Sequence, residues 1–276
     1  MRIVPLGVRG STAAPGSAFA RYGGHTSCVA VIADGESTPR LLLDAGTGLS
    51  ALPTLLNAAP FHGTILLSHL HWDHVQGLPF CPAVDNEAAQ VDLFVPIGDS
   101  SLDARELLSV GFSPPHFPID PTGLLGTWTF NALRPGSVTD GVIARPIAHK
   151  GGPAFGFRVE RDGTSLAYLP DHAVTDPGQV PSHLDAVFGG VDLLVHDGQY
   201  TGADIGIADA YGHATIEAVQ LLADRWEVGA VLLTHHAPSR NDADLDRLAA
   251  QYRHTPGGRP ITFAVQGRAV DVGRPR

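Results

Sequence analysis

The sequence predicts an α/β fold, and three features predict it. Short apolar runs of β type recur along most of the chain, two later segments carry a helical period, and histidine or aspartate directly follows several of the runs. With 276 residues, 43% of them hydrophobic and 17% charged, the chain can bury a sizeable core and lies outside the composition of disordered sequences. A single domain over 1–276 is the expected organisation.

The expected strands are, in order, Arg2 to Val8, Ser27 to Ala33, Arg40 to Leu43, Thr64 to Ser68, Val91 to Val95, Val142 to Ala148, Ala154 to Glu160, Thr164 to Leu169, Val191 to Val195, Ala230 to Thr234 and Ile261 to Val265. Each is short and apolar. Helical period is clearest at Thr215 to Trp226, where Ile216, Val219, Ala223 and Trp226 share a face, and at Asn241 to Arg253, where Leu245, Leu248 and Tyr252 do. Asn241 and Asp242 suit the start of the second helix, and Arg253 with His254 its end. Between Pro79 and Pro135 the chain is rich in proline and glycine, and Ser113-Pro114-Pro115-His116-Phe117-Pro118 can form neither a regular helix nor a central strand. This stretch, about 79–135, reads as an excursion from the core that walls a cleft.

A formal net charge of −10 repels polyanions and argues against a protein that grips long nucleic acid by its phosphates. Cys28 and Cys81 belong to no Cys-x-x-Cys pair and are expected as free thiols. No run approaches the roughly 18 apolar residues of a membrane span, and residues 1–14 lack the apolar core of a signal peptide. A soluble cytoplasmic protein without a membrane partner is therefore expected.

The most specific signal is Ser68-His69-Leu70-His71-Trp72-Asp73-His74, directly after the apolar run ending at Leu67. In extended chain, residues i, i+2 and i+4 share a face, so His69, His71 and Asp73 can converge, and a turn brings in His74. Three imidazoles and a carboxylate can seed two metal sites. His69, His149, Asp171 and His235 each fall just after an apolar run, as do Asp44 and His196. Ligands at like ends of several strands converge on one sheet edge, the usual place for sites in α/β proteins.

His-x-His-x-Asp-His resembles the signature of the metallo-β-lactamase superfamily. The likeness continues in Arg9-Gly10-Ser11, Gly23-Gly24-His25-Thr26-Ser27-Cys28, Leu43-Asp44-Ala45-Gly46-Thr47-Gly48, Gly77-Leu78-Pro79-Phe80, Asp171-His172, Val195-His196-Asp197-Gly198-Gln199-Tyr200 and His235-His236-Ala237-Pro238. Together these resemble the branch containing ribonuclease Z and small cyclic-phosphate phosphodiesterases. The resemblance implies an αββα sandwich of two mixed sheets with outer helices. It places His69, His71 and His149 on one metal and Asp73, His74 and His235 on the other, with Asp171 bridging both, and it makes a homodimer plausible. His25 stands where relatives more often carry Asn, and its role is open. His235, immediately after its strand, is the better geometric candidate, leaving His236 to orient a ligand or touch substrate. Asp44 is expected to orient a liganding imidazole rather than bind metal. His213, in Tyr211-Gly212-His213-Ala214-Thr215, resembles a histidine that assists at phosphate, so Asp73 and His213 are the catalytic candidates.

Two divalent ions in this shell would share a bridging water, lower its pKa and present hydroxide to an electrophile. The histidine and carboxylate donors suit zinc first, then manganese or iron. Hydrolysis of a small cyclic phosphodiester or nucleotide is the leading expectation, with a lactone or ester as the alternative. A di-iron redox protein is the alternative of another class, although its signature resembles His-x-Glu-x-Asp-His and this chain has His71 in place of that Glu. A binding protein with a dead site fits poorly, because all seven candidate ligands are present.

Overall fold

Along most strands both alternating faces are apolar, and only a sheet covered on both sides accommodates that pattern. The structure is a computed structural model that describes residues 1–139 and 141–273. Among the described residues, two seven-stranded mixed sheets stack face to face with helices on their outer faces. The first sheet contains β1 (Arg2–Gly7), β2 (Cys28–Ile32), β3 (Leu41–Leu43), β4 (His62–Leu66), β5 (Gln90–Pro96) and β6 (Thr127–Leu133). The second contains β7 (Gly136–Thr139), β8 (Val142–Ile147), β9 (Ala154–Arg161), β10 (Thr164–Leu169), β11 (Leu193–Asp197), β12 (Ala230–Thr234) and β13 (Ile261–Phe263). A final strand, β14 (Val270–Asp271), returns to the first sheet and pairs with β1. Strand orders are β14-β1-β2-β3-β4-β5-β6 and β13-β12-β11-β10-β9-β8-β7.

Three apolar layers follow from the period of two. Val29, Val31, Leu43 and Leu66 of the first sheet meet Phe157, Leu166, Val195 and Leu232 of the second in the central layer. Their chain neighbours Cys28, Ala30, Leu42 and Ile65 face the other way, with helices α1 (Leu52–Leu55) and α3 (Ala104–Gly111) on that side. On the far side, Ala167, Leu194, Val231 and Leu233 pack against α4 (Asp185–Phe188), α6 (Ile216–Arg225) and α7 (Asp242–Gln251). Two further short helices, α2 (Trp72–Val75) and α5 (Ile205–Tyr211), lie at the loop edge.

The two expected helices form as α6 and α7, capped by Thr215 and Asn241, whose side chains accept the N–H groups of Ala218 and of Ala243 and Asp244. Residues 79–135 depart from the expected excursion. They supply β5 and β6, which run parallel to β4 and extend the first sheet, and a helix, α3, held by a reciprocal cap between Asp103 and Glu106. The proline-rich 113–118 segment lies outside helix and strand.

Trp226 shows what anchors the outer helical layer. It is fully buried just after α6, and its indole N–H donates to Asp185 at 2.7 Å. Trp226→Ala should lower the unfolding free energy by about 3–5 kcal/mol, read from the urea midpoint at unchanged slope.

Candidate metal centre

Parallel strands deliver their following loops to the same edge. Asp44 follows β3, Ser68 and His69 lie just beyond β4, Asp171 comes after β10, Asp197 closes β11 and His235 follows β12. These strands are parallel to one another within each sheet. The quartet is shaped by a change of backbone. His71 is still extended, with φ −64 and ψ 149, and the chain then turns into α2. Asp73 therefore does not share a face with His69 and His71, as an extended chain would require. The helical turn sends it to the same side as His74.

Two groups of side chains result. His69, His71, His149 and Asp171 form one, and Asp73, His74 and His235 the other, with ligand-type atoms within 4.8 Å of one another in each. Asp171 faces both. Its Oδ2 lies 3.5 Å from Nε2 of His69 and of His149, while Oδ1 lies 3.4 Å from Nε2 of His74 and 3.0 Å from Nε2 of His235. The first group is partly open, since His71 is exposed and His149 half-buried, whereas the second is buried throughout.

His235, not His236, reaches this cluster. The ring of His235 lies directly against Gly10, where an added Cβ would sit 2.2 Å from its Nδ1, so only glycine leaves room for it. His236 turns inward, donates from Nε2 to the Ala264 carbonyl at 2.9 Å and stacks on Phe263. Burial, reinforced by the nearby positive charge of Arg9, lowers its pKa to about 3 and keeps it neutral. The expectation that His236 orients a ligand or touches substrate is not met, because its side chain points away from the cluster.

Outer hydrogen bonds fix which imidazole nitrogens face inward. Nδ1–H of His74 donates to Asp44 Oδ2 at 2.8 Å, and Nδ1–H of His149 donates to the Gly212 carbonyl at 2.7 Å, so that Nε2 of each ring faces the cluster. Asp44 also accepts from Ser68 N–H at 2.7 Å, Ser68 O–H at 2.9 Å and Tyr168 O–H at 2.8 Å. Burial above all pushes the pKa of His69, His71 and His149 below the ordinary histidine value, so these rings stay neutral. Burial opposes charge on His235 too, but Asp171, Asp73 and Asp197 outweigh it and push the pKa up to about 10. Asp73 is the counterpart: burial would raise its pKa, yet His74 and His235 hold it below the usual carboxylate range. Nε2 of His69 and Oδ1 of Asp171 are buried with no hydrogen-bond partner. Unpartnered buried donors of nitrogen and oxygen type, with no cysteine among them, fit a divalent metal ion.

The centre opens into a cavity of about 520 Å³ lined also by Ser11, Leu70, Trp72, Tyr200, Tyr211 and His213. Nδ1–H of His213 donates to Asp197 Oδ2 at 2.8 Å, and a ring nitrogen of His213 lies within 4.8 Å of the ligand-type atoms of Asp171 and His235. Burial works against charge on His213, but Asp197 more than offsets it and holds the pKa above the ordinary value. His25 does not line this cavity. Its backbone N–H donates to Gln266 Oε1 at 3.1 Å.

A family described as a beta-lactamase superfamily domain matches residues 39–236. The chain belongs to the beta-lactamase superfamily. Among curated relatives, the uncharacterized protein Rv1339 of Mycobacterium tuberculosis is 29% identical over 262 residues, spanning 88% of this chain and 84% of that one. The ribonuclease Z of Bradyrhizobium diazoefficiens is 24% identical over 287 residues, spanning 80% of this chain and 87% of that one. The crystal structure of the metallo-β-lactamase-fold protein YhfI of Bacillus subtilis superposes with a TM-score of 0.70 at 17% identity, covering 98% of this chain and 99% of that one. With its histidine and aspartate clusters, this member of the superfamily is a metal-dependent hydrolase of the metallo-β-lactamase fold.

Several groups at the centre carry no separate signal in the sequence. Ser68 and Tyr168 brace Asp44, Asp197 holds His213, and the N–H of Ser11 donates to Asp73 Oδ2 at 2.7 Å from a left-handed backbone with φ 64. Ser11 and Asp197 lie within stretches that resemble the superfamily, and the position of Asp197 at the last residue of β11 was the available clue. Gly10→Ala should displace the His235 ring. In a Co²⁺ titration followed by visible absorption, affinity is expected to fall about 10- to 100-fold while the far-ultraviolet circular dichroism is retained.

Proposed function

We propose that the protein is a phosphodiesterase that works with two divalent ions on a small phosphodiester or nucleotide. The observation that carries this reading is the double engagement of Asp171, one oxygen toward each group of histidines, with His213 beside it. His69, His71 and His149 would hold one ion and Asp73, His74 and His235 the other, with Asp171 shared. Zinc is the first expectation for this donor set, with manganese or iron as alternatives. When bound, two such ions lower the pKa of a shared water and neutralise charge on the attacked phosphate.

The remaining steps fall to the chain's own groups. Asp44 and the Gly212 carbonyl orient His74 and His149, and Asp73 is held in place by Ser11. Asp197 keeps a proton on Nδ1 of His213 and favours the imidazolium, which can donate from Nε2 to a departing alkoxide. A small substrate suits the cavity better than a long RNA, even though one relative is a ribonuclease. The net charge is −10, and among the described residues no lysine or arginine lines the cavity.

Purified protein loaded with zinc should hold about two ions per chain by plasma mass spectrometry, since seven donors exceed one tetrahedral shell. Asp171→Ala should lose both stoichiometry and turnover. If occupancy and hydrolysis survived that change, the shared-ligand assignment would be wrong. His213→Ala should keep both ions yet slow an unactivated phosphodiester by about 10²- to 10⁴-fold, with a smaller loss on an aryl ester whose leaving group needs little protonation. Loss of an ion from His213→Ala would instead make His213 a ligand, and turnover of lactones but not phosphodiesters would overturn the assignment.

A further inference from the structure

Trp72 is 74% exposed and Tyr211 is 64% exposed, and both line the cavity that holds the histidine and aspartate clusters. A lone exposed apolar residue needs no explanation. Two large aromatic rings on one catalytic cavity are different, because each leaves apolar area in water that a bound group could cover.

Neither ring is free to fold away. Trp72 opens α2, and the next two residues of the same turn, Asp73 and His74, point into the buried cluster. Their burial fixes the helix and leaves the indole toward the mouth. Tyr211 ends α5 and is followed by Gly212, whose left-handed φ of 76 ends the helix and whose carbonyl accepts Nδ1–H of His149. Each ring is thus presented by a backbone that the metal centre itself holds. With no lysine or arginine among the described lining residues, what the cavity offers beyond the histidine and aspartate clusters is the rings of Trp72, Tyr200 and Tyr211, the hydroxyl of Ser11 and the side chain of Leu70.

We propose that Trp72 and Tyr211 form an aromatic subsite that takes a planar ring of the substrate, a nucleobase or aryl group, next to the phosphodiester. This rests on the phosphodiesterase reading and adds a substrate class to it: a singly charged diester bearing a flat ring, in preference to a ring-free diester or a polyphosphate. Tyr200, which also lines the cavity, is 5.7 Å from the His213 ring and stands on the side of the reacting groups.

The test compares thymidine 5′-(methyl phosphate) with the abasic 1,2-dideoxyribose 5-(methyl phosphate), which share the diester and the sugar chain and differ in the base, the only planar ring in either. Zinc-loaded wild type should show a KM at least about tenfold lower for the thymidine ester, and Trp72→Leu and Tyr211→Leu should each shrink that ratio to within roughly threefold. A wild-type ratio near one overturns the subsite, as does a ratio unchanged in both variants. A change in solution mass of the variants with the ratio intact also overturns it, since the rings would then belong to a contact between copies. If neither ester is hydrolysed, the phosphodiesterase reading fails separately. Calorimetry then decides the subsite: tighter binding of thymidine 5′-monophosphate than of ribose 5-phosphate, lost in the variants, sustains it, and equal binding removes it.

Discussion

Asp44 is a carboxylate with no exposed surface, and interior carboxylates are tolerated only when their oxygens are fully hydrogen-bonded. Its donors come from three places. Ser68 supplies two from the loop after β4, His74 one from α2, and Tyr168 one from β10 of the opposite sheet. The last bond ties the two sheets together at the edge where the clusters gather. Asp44 itself sits in the left-handed region with φ 62, which aspartate tolerates better than most residues. Movement of the sheets relative to one another would therefore be felt at once by the His74 ring, so the layer packing and the geometry of the centre are a single constraint.

Much of this was legible in the sequence because period-two apolar runs and the residues after them are local signals. Most strands and the convergence of His69, His149, Asp171 and His235 follow from that pattern, α6 and α7 follow from their helical period, and the arrangement in two sheets was implied by the resemblance to the superfamily. What escaped depends on partners remote in sequence. β6, with Thr127, Thr129 and Asn131 alternating outward, is too polar to read as a strand until β5 is beside it. Tyr168 reads as an ordinary core aromatic, and only the stacking of the sheets brings its hydroxyl to Asp44. The position of Asp73 turned on where extended chain gives way to helix, a boundary that an i, i+2 count cannot see. His235 was preferred over His236 from its place directly after the strand, but the inward turn of the His236 ring toward Ala264 carried no such signal.

The two clusters are built differently although they share Asp171. In one, burial and neighbouring imidazoles favour neutral rings, and His71 reaches solvent. In the other, carboxylates hold His74 and His235 toward the charged form inside the protein. A divalent ion at the second group would therefore compete with protons on His74 and His235, whereas the first group offers it neutral rings.

The pairing of β14 with β1 has a consequence for biosynthesis. Arg2 and Ile3 lie opposite Asp271 and Val270, so β1 keeps one open edge until nearly the whole described chain has followed it from the ribosome. The same delay applies to the quartet at 69–74, whose partners Asp171 and His235 are supplied by the second sheet. A nascent chain therefore passes through a long interval in which half of the donor set is made and the other half is still untranslated, and such long-range closure favours slow maturation in which the full set of donors assembles late.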